Sequence, residues 1–325
     1  MLFDKLVSEY TKAKTVGAYH TKTVRLNTWE GYGSCIRLYL MPQWGSREVE
    51  EIQYDEVQSW VDSFPEGRGA EKAYKCLRQM LRWALAKLHL RFADPTIGVE
   101  VPNHERRSAR VLTERELNRM VKAMQGKPWE PVVLVQACLG LRRCEACALT
   151  WADVNLGTGV VRITKGRHVV SGKCYVWGTK TKKSNRELVL PWFAVERLRE
   201  IRKERRARGA ELLCELRPDA ISRQFRAWCK THGFPGMTMM QLRHTFATLA
   251  VKAGIPIEGV AMMLGHSDVT MCYTRYVSSS EGLFRSAIKR WSAMLLGAAP
   301  DTRLDEVSPM WEHRRSSLGV VSSAA

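Results

Sequence analysis

The sequence predicts a mainly α-helical protein of two domains, with a small antiparallel β-sheet in the second domain. Three observations support this fold class. Apolar residues recur at helical spacing between residues 74 and 88, prolines and polar residues interrupt the pattern between residues 94 and 110, and three short strand-like runs separated by glycines lie between residues 160 and 190. A chain of 325 residues is long enough for two hydrophobic cores.

The first domain is predicted to be a helical bundle over residues 20–105, preceded by an N-terminal arm over residues 1–19. Helices are expected over residues 27–40, after which a proline and a glycine follow, and over residues 54–63. The third helix has the most regular apolar face, formed by Tyr74, Leu77, Met80, Leu81, Ala84, Leu85 and Leu88.

Basic residues follow a second face of this third helix. Lys75, Arg78 and Arg82 are spaced so that they lie on one side of it. Such a stripe can rest on DNA phosphates, or it can be a solvated charged surface, and the sequence leaves both interpretations open. The linker that follows is also basic, and its Arg106 and Arg107 are further candidate contacts to a DNA backbone.

The second domain is predicted over residues 110–296. Thr113 and Glu116 form the pattern of a capping box, which marks the start of a helix. Glycines punctuate three strand-like runs, residues 160–163, 174–177 and 187–190. Helical patterning then resumes, and residues 297–325 form a polar, weakly periodic C-terminal tail.

The charge of the chain indicates a polyanionic partner. Its 51 basic and 33 acidic residues give a formal net charge of +18, and nucleic acid is the commonest partner for such an excess. No apolar run is long enough to span a membrane, and the N-terminus lacks the pattern of a signal peptide. The nine scattered cysteines suit a reducing, cytoplasmic location, and the lone pair Cys144 and Cys147 suits core packing better than a metal site.

Four short segments, in this order, carry the residue types of a nucleic-acid-cleaving site. Each alone is a weak signal, whereas the ordered set is specific. The segments are residues 140–145 (GLRRCE), 179–186 (TKTKKSNR), 241–247 (QLRHTFA) and 264–268 (LGHSD), and two tyrosines, Tyr273 and Tyr276, follow the last of them.

These residue types suit cleavage of a phosphodiester without a metal or another cofactor. Guanidinium groups can hold the phosphate oxygens, where negative charge develops, and they stay charged at any working pH. A lysine or histidine can protonate the departing sugar oxygen, and a tyrosine can attack and retain the broken end as an ester. The chain has neither a Walker-type glycine loop nor the acidic cluster of a two-metal nuclease.

Together these segments resemble the tyrosine recombinase, or phage integrase, family over residues 110–290. The resemblance implies that Arg142 and Arg243 are the two catalytic arginines, and that Glu145 supports the first of them. It also implies that Lys180 is the general acid and that His266 binds the scissile phosphate. The implied architecture is a clamp of a helical core-binding domain and an α+β catalytic domain around DNA.

Two positions depart from the family pattern. Met240 stands where the family usually has a histidine, and a thioether donates no proton, although the neighbouring Gln241 could assist. The usual position of the nucleophilic tyrosine falls on Arg275. Tyr276 lies one residue beyond it and follows an arginine, as in many relatives, so we favour Tyr276 and keep Tyr273 as the alternative.

The resemblance therefore implies a site-specific recombinase that integrates or excises a mobile element. Four protomers would act on two double-stranded DNA sites through a 3′-phosphotyrosyl link, in the cytoplasm at the nucleoid. Whether an accessory directionality factor takes part stays open. The alternatives are a catalytically impaired DNA-binding relative, a type IB topoisomerase-like enzyme, and a helix-turn-helix regulator over Met239–Leu264.

Overall fold

The computed structural model describes residues 1–65, 68–102, 110–178, 184–206 and 211–265. These residues fall into two compact units. The first contains the described residues of 1–109 together with 167–177, and the second contains residues 110–166 and the described residues from 178 onward. The expected C-terminal tail lies outside the described residues. Mainly helical structure with a small antiparallel sheet is confirmed.

The first unit is built around five helices. Their apolar faces enclose a core that includes several large aromatic side chains, among them Trp44, Trp60 and Trp83. Two π-helical turns, Ile36–Leu40 and Ala84–Leu88, extend the helices that precede them. The helices are α1 (Phe3–Val16), α2 (Leu26–Cys35), α3 (Met41–Trp44), α4 (Tyr54–Asp62) and α5 (Arg68–Trp83).

The prediction of an N-terminal arm over residues 1–19 is wrong. Helix α1 occupies most of that segment, and its Phe3, Leu6, Tyr10 and Ala13 are buried in the core of the first unit. These four positions are spaced three or four residues apart and so form one helical face. The lysines of the segment lie between them and conceal that periodicity in the sequence.

The first helix of the second unit begins where the capping box predicted. Thr113 is the N-cap of α6 (Glu114–Ala123): its side-chain oxygen accepts a hydrogen bond from the Glu116 amide, and its own backbone amide donates to the Glu116 carboxylate. Helix α7 (Glu130–Leu139) is buried over nearly its whole length, and the short α8 (Arg143–Ala146) follows it after a break of three residues that begins at Gly140.

The strands form two antiparallel pairs. Strand β1 (Val160–Ile163) pairs with β4 (Arg186–Val189), with Ile163 opposite Arg186. Strands β2 (Lys165–Val170) and β3 (Lys173–Gly178) form a hairpin, most of which clusters with the first unit. Strand β2 was not predicted, because its first half is basic and contains a glycine, a composition that is unusual for strands.

Four helices complete the second unit. They are α9 (Trp192–Arg206), α10 (Pro218–Thr231), α11 (Met239–Lys252) and α12 (Ile257–Leu264). Helix α11 packs against the buried α7, and Gln136 of α7 donates its side-chain amide to the carbonyls of Leu141 (2.9 Å) and Met239 (2.8 Å). This buried amide ties the turn after α7 to the first residue of α11. In the described part of the chain, no helix has the length and apolarity that a membrane span requires.

Candidate active site

Two segments distant in sequence bring the predicted arginines together within the second unit. Arg142 lies in the turn between α7 and α8, and Arg243 lies on α11. Both side chains reach the C-terminal end of α12: Arg243 donates to the Leu264 carbonyl (2.9 Å), and Arg142 donates to the Gly265 carbonyl (2.8 Å). The last carbonyls of a helix have no partner within the helix, and cationic side chains suit them.

Arg243 is held from two sides. Its residue exposure is 8%, and besides the Leu264 carbonyl its guanidinium binds the Gly140 carbonyl at 2.9 Å. Gly140 ends α7 and Leu264 ends α12, so Arg243 bridges the C-termini of two helices. A buried guanidinium with two fixed acceptors has little rotamer freedom left, which is what a preorganised phosphate contact requires.

Glu145, the proposed support of the first arginine, contacts Arg142 through both backbone and side chain. Its carboxylate accepts hydrogen bonds from the Arg142 backbone amide (2.9 Å) and from the Arg142 guanidinium (2.8 Å). Only 5% of the Glu145 side chain is exposed, against 38% for Arg142. Arg142 therefore has an enclosed anchor at one end and remains accessible at the other.

A third arginine, not singled out from the sequence, joins this cluster. The Arg186 guanidinium lies 2.8 Å from Glu145 Oε2, and its Nε donates to the Met263 carbonyl at 2.7 Å. Burial alone raises the pKa of Glu145, but the hydrogen bonds and charges of Arg186 and Arg142 outweigh it and hold the pKa below its usual value. Three guanidinium groups and one carboxylate leave this cluster with two excess positive charges, which suits a bound anion.

Two glycines allow the close packing around the arginines. Gly140 has φ +64°, and a Cβ there would lie 2.2 Å from Phe246 Cδ1 and 2.9 Å from Leu264 Cδ2. Gly265 has φ +66°, and a Cβ there would lie 2.9 Å from Arg186 Nη1 and 3.4 Å from Arg142 Nη1. Glycine accepts this left-handed backbone and adds no atom to the crowded space.

We expect Gly140→Ala to destabilise the second unit by about 2–5 kcal/mol. About 1–2 kcal/mol comes from the left-handed backbone and the rest from overpacking against Phe246 and Leu264. Gly126→Ala is the matched control, because Gly126 has φ +78° but no atom within 4 Å of the added Cβ. Denaturant unfolding measures both, and equal losses for the two variants would show that packing at Gly140 contributes nothing.

Met240 lies one helical turn before Arg243 on α11, and 66% of it is exposed. Its position fits the place of the family's usual histidine relative to Arg243. In the described residues, Oε1 of the neighbouring Gln241 is buried and has no hydrogen-bond partner. Gln241 is thus a polar group beside Arg243 whose acceptor is available for a further contact.

The helix-turn-helix alternative fits the structure poorly. Helices α11 and α12 do follow one another closely, but Arg243 of α11 is buried. Helix α12, in the place of a recognition helix, has Glu258 as its one charged residue. A recognition helix presents basic and polar side chains to the major groove, and α12 cannot do so.

Several predicted site residues lie outside the described residues. They are Lys180, His266, Tyr273, Tyr276, Arg106 and Arg107. His266 directly follows Gly265, whose carbonyl binds Arg142. Lys180 lies in the connection between β3 and β4, which ends at Arg186. The described residue before His266 and the described strand that follows Lys180 thus both contribute to the arginine cluster, through Gly265 and Arg186.

The comparisons with known proteins agree with this arrangement. The profile of the phage integrase family matches residues 110–282. The chain belongs to the phage integrase family. This membership covers the arginine cluster and both candidate tyrosines, and it bears out the resemblance that the four sequence segments indicated.

Individual members of the phage integrase family extend the similarity to most of the chain. An integrase from Streptomyces ambofaciens is 25% identical over 289 residues, covering 78% of this chain and 74% of its own length. The transposon Tn1549 integrase in complex with a circular intermediate DNA has a TM-score of 0.74 at 18% identity, covering 90% of this chain and 99% of the other. A lambda integrase tetramer bound to a Holliday junction has a TM-score of 0.64 at 19% identity, covering 84% of this chain and 77% of the other.

Proposed function

We propose that this protein is a site-specific DNA strand transferase that cleaves and rejoins double-stranded DNA through a 3′-phosphotyrosyl intermediate. The observation that carries the proposal is the meeting of Arg142 and Arg243 at the end of α12. Two fixed guanidinium groups from separate segments form a preorganised receptor for one phosphate. Membership of the phage integrase family supports the assignment of this receptor to DNA chemistry.

The reaction assigns one role to each group. The phenol of Tyr276 loses its proton to solvent as its oxygen attacks phosphorus, and the bond between phosphorus and the 5′ oxygen breaks. Lys180 gives its proton to that oxygen, while Arg142, Arg243 and His266 bind the phosphate oxygens. The 5′ hydroxyl of a partner strand then attacks the phosphotyrosine and releases Tyr276, so the energy of the original bond is conserved and no cofactor is consumed.

The proposed partners are double-stranded DNA and three further copies of the chain. The net charge of +18 suits a polyanion, and the similar lambda integrase forms a tetramer on a Holliday junction. A tetramer on two DNA sites would integrate or excise a mobile element, with or without an accessory directionality factor. We place the protein at the nucleoid, where such a substrate lies.

The basic stripe of α5 is a proposed contact to the DNA backbone. Lys75 pairs with Glu71 at 2.5 Å, Arg82 pairs with Asp94 at 3.1 Å, and Arg78 lies over the Tyr74 ring. The Lys75 and Arg82 side chains are 68% and 50% exposed, so phosphates could replace their carboxylate partners. Arg106 and Arg107 of the linker are proposed to extend this contact.

Trapping the protein on a nicked suicide substrate tests the proposed function. The substrate releases a short fragment after cleavage, so the reverse step is lost and the covalent adduct accumulates. We expect a protein–DNA adduct that resists denaturant and forms in the presence of EDTA. Binding of cognate DNA without any adduct would instead support the catalytically impaired relative.

A further inference from the structure

The side chain of Arg186 connects three segments of the second unit. It starts at the first residue of β4, and only 8% of it is exposed. Besides Glu145 of α8 and the Met263 carbonyl of α12, it binds the carbonyl of Ser184 at 3.1 Å. The backbone of Arg186 is fixed opposite Ile163 in the β1–β4 pair. The guanidinium therefore links the β1–β4 pair to the C-terminal end of α12.

Arg186 and Arg142 share one carboxylate. Glu145 Oε2 accepts from Arg186 Nη2 (2.8 Å) and from the Arg142 amide (2.9 Å), and Glu145 Oε1 accepts from Arg142 Nη1 (2.8 Å). A carboxylate oxygen has two lone pairs, so this sharing fills Oε2 and fixes the plane of the group. Because Arg142 takes its orientation from that plane, its guanidinium depends indirectly on Arg186.

The end of α12 depends on the same side chain. Arg186, Arg243 and Arg142 bind the successive carbonyls of Met263, Leu264 and Gly265. Removing Arg186 would leave the Met263 carbonyl without its cation and loosen the final turn of α12. His266 directly follows this turn in the sequence, so the position of the turn limits where His266 can lie.

We propose that Arg186 is a positioning residue for strand cleavage, which fixes Arg142 and the end of α12 without itself contacting the phosphate. The inference rests on the proposed function, because it concerns the rate of that reaction. Lysine cannot replace it. One ammonium group cannot span Glu145 and the Met263 carbonyl as the planar guanidinium does.

Arg186 also keeps the Glu145 carboxylate ionised. The charged or titratable groups facing this carboxylate in the described residues are Arg142 and Arg186, with the Cys144 thiol beside it. Arg243 of α11 binds the carbonyls of Gly140 and Leu264 instead. If the cation of Arg186 is removed, burial opposes ionisation more effectively, and the pKa of Glu145 rises. Protonation removes the negative charge that strengthens both bonds from Arg142 and attracts its guanidinium, so cleavage should then fail at a higher pH than in the wild type.

The test compares Arg186→Lys and Arg186→Gln in single-turnover cleavage of the suicide substrate at saturating DNA. Misplacing a catalytic group by about 1 Å can cost on the order of 100-fold in rate, so we expect both variants to cleave about 10- to 100-fold more slowly. DNA affinity should change less than about threefold, because these contacts act on orientation. The acid limb of the pH–rate profile should move to higher pH for Arg186→Gln, and it should stay near wild type for Arg186→Lys.

Arg197→Gln is the matched control. Arg197 holds the enclosed carboxylate of Glu130 at 2.7 and 3.0 Å, in the same unit but away from the arginine cluster. This variant should lower the unfolding temperature without changing the cleavage rate or its pH profile. If Arg186→Gln does not fold, the double variant Glu145→Gln/Arg186→Gln replaces it, because it leaves no unpaired carboxylate. Its cleavage rate should be low, and its pH–rate profile should show no acid limb from residue 145.

The outcomes separate the two proposals. An adduct with the wild type, together with wild-type cleavage rates and pH profiles for both Arg186 variants, would overturn the role of Arg186 alone. Equal losses of rate in Arg186→Gln and Arg197→Gln would also overturn it, because general destabilisation would then explain both. Absence of an adduct with the wild type would overturn the proposed function.

Discussion

Tyr276→Phe is expected to abolish the covalent protein–DNA adduct completely while DNA binding stays within about twofold of wild type. The substitution removes one hydroxyl and retains the ring, so it tests nucleophilic attack with little change in packing. Electrophoresis under denaturing conditions with end-labelled suicide DNA measures the adduct, and mapping of the labelled peptide identifies the attached residue.

Tyr273→Phe is the control, since it removes the same hydroxyl three positions earlier. We expect it to retain the adduct. The reverse pattern would make Tyr273 the nucleophile. The spacing between His266 and the nucleophile would then be shorter than in the family pattern, not longer. Retention of the adduct in both variants would remove both tyrosines from the mechanism.

The arginine cluster could be predicted in part because its members lie in short, ordered motifs. Arg142 and Glu145 are three residues apart, so a local turn is sufficient to bring them together. Arg243 follows from the resemblance, but its burial between the Gly140 and Leu264 carbonyls does not. That burial depends on the packing of α11 against α12, 21 positions away at Leu264, and against α7, 103 positions away at Gly140.

Arg186 shows why the remainder could not be predicted. An arginine at the start of an alternating strand normally faces solvent. Its enclosure requires Glu145 from one distant segment and the end of α12 from another. The available signal was its place in the motif with Lys180, where it marks the return of the chain to the site.

Helix α1 was missed for a different reason. Its apolar face was present in the sequence, but the basic residues among those positions favoured an interpretation as an N-terminal arm. The structure buries Phe3, Leu6, Tyr10 and Ala13. Lys5 and Lys12 stay exposed, and Lys14 extends over the Tyr10 ring, so the three lysines do not oppose burial of the apolar face. Charge composition predicts the class of partner more reliably than it predicts local structure.

Lys180→Ala is expected to slow cleavage of ordinary DNA by about 100- to 10,000-fold, which is the usual contribution of a general acid. The connection that carries Lys180 ends at Arg186, whose guanidinium is fixed in the arginine cluster. Six residues of extended chain span at most about 20 Å, which is the upper limit of the backbone distance between Lys180 and Arg186. Loss of the proton donor should leave DNA binding largely unchanged, because one phosphate contact among many is removed.

A substrate with a 5′-thio leaving group distinguishes proton donation from other roles of Lys180. A departing thiolate needs no proton, so Lys180→Ala should cleave this substrate within about tenfold of the wild-type rate. The remaining loss of rate comes from the missing positive charge of Lys180. Lys182→Ala is the matched control in the same connection and should behave as wild type on both substrates. Equal losses for Lys180→Ala on the oxygen and sulfur substrates would show that Lys180 positions or binds the DNA. If Lys182→Ala instead cleaved the oxygen substrate slowly and the sulfur substrate at the wild-type rate, Lys182 would be the proton donor.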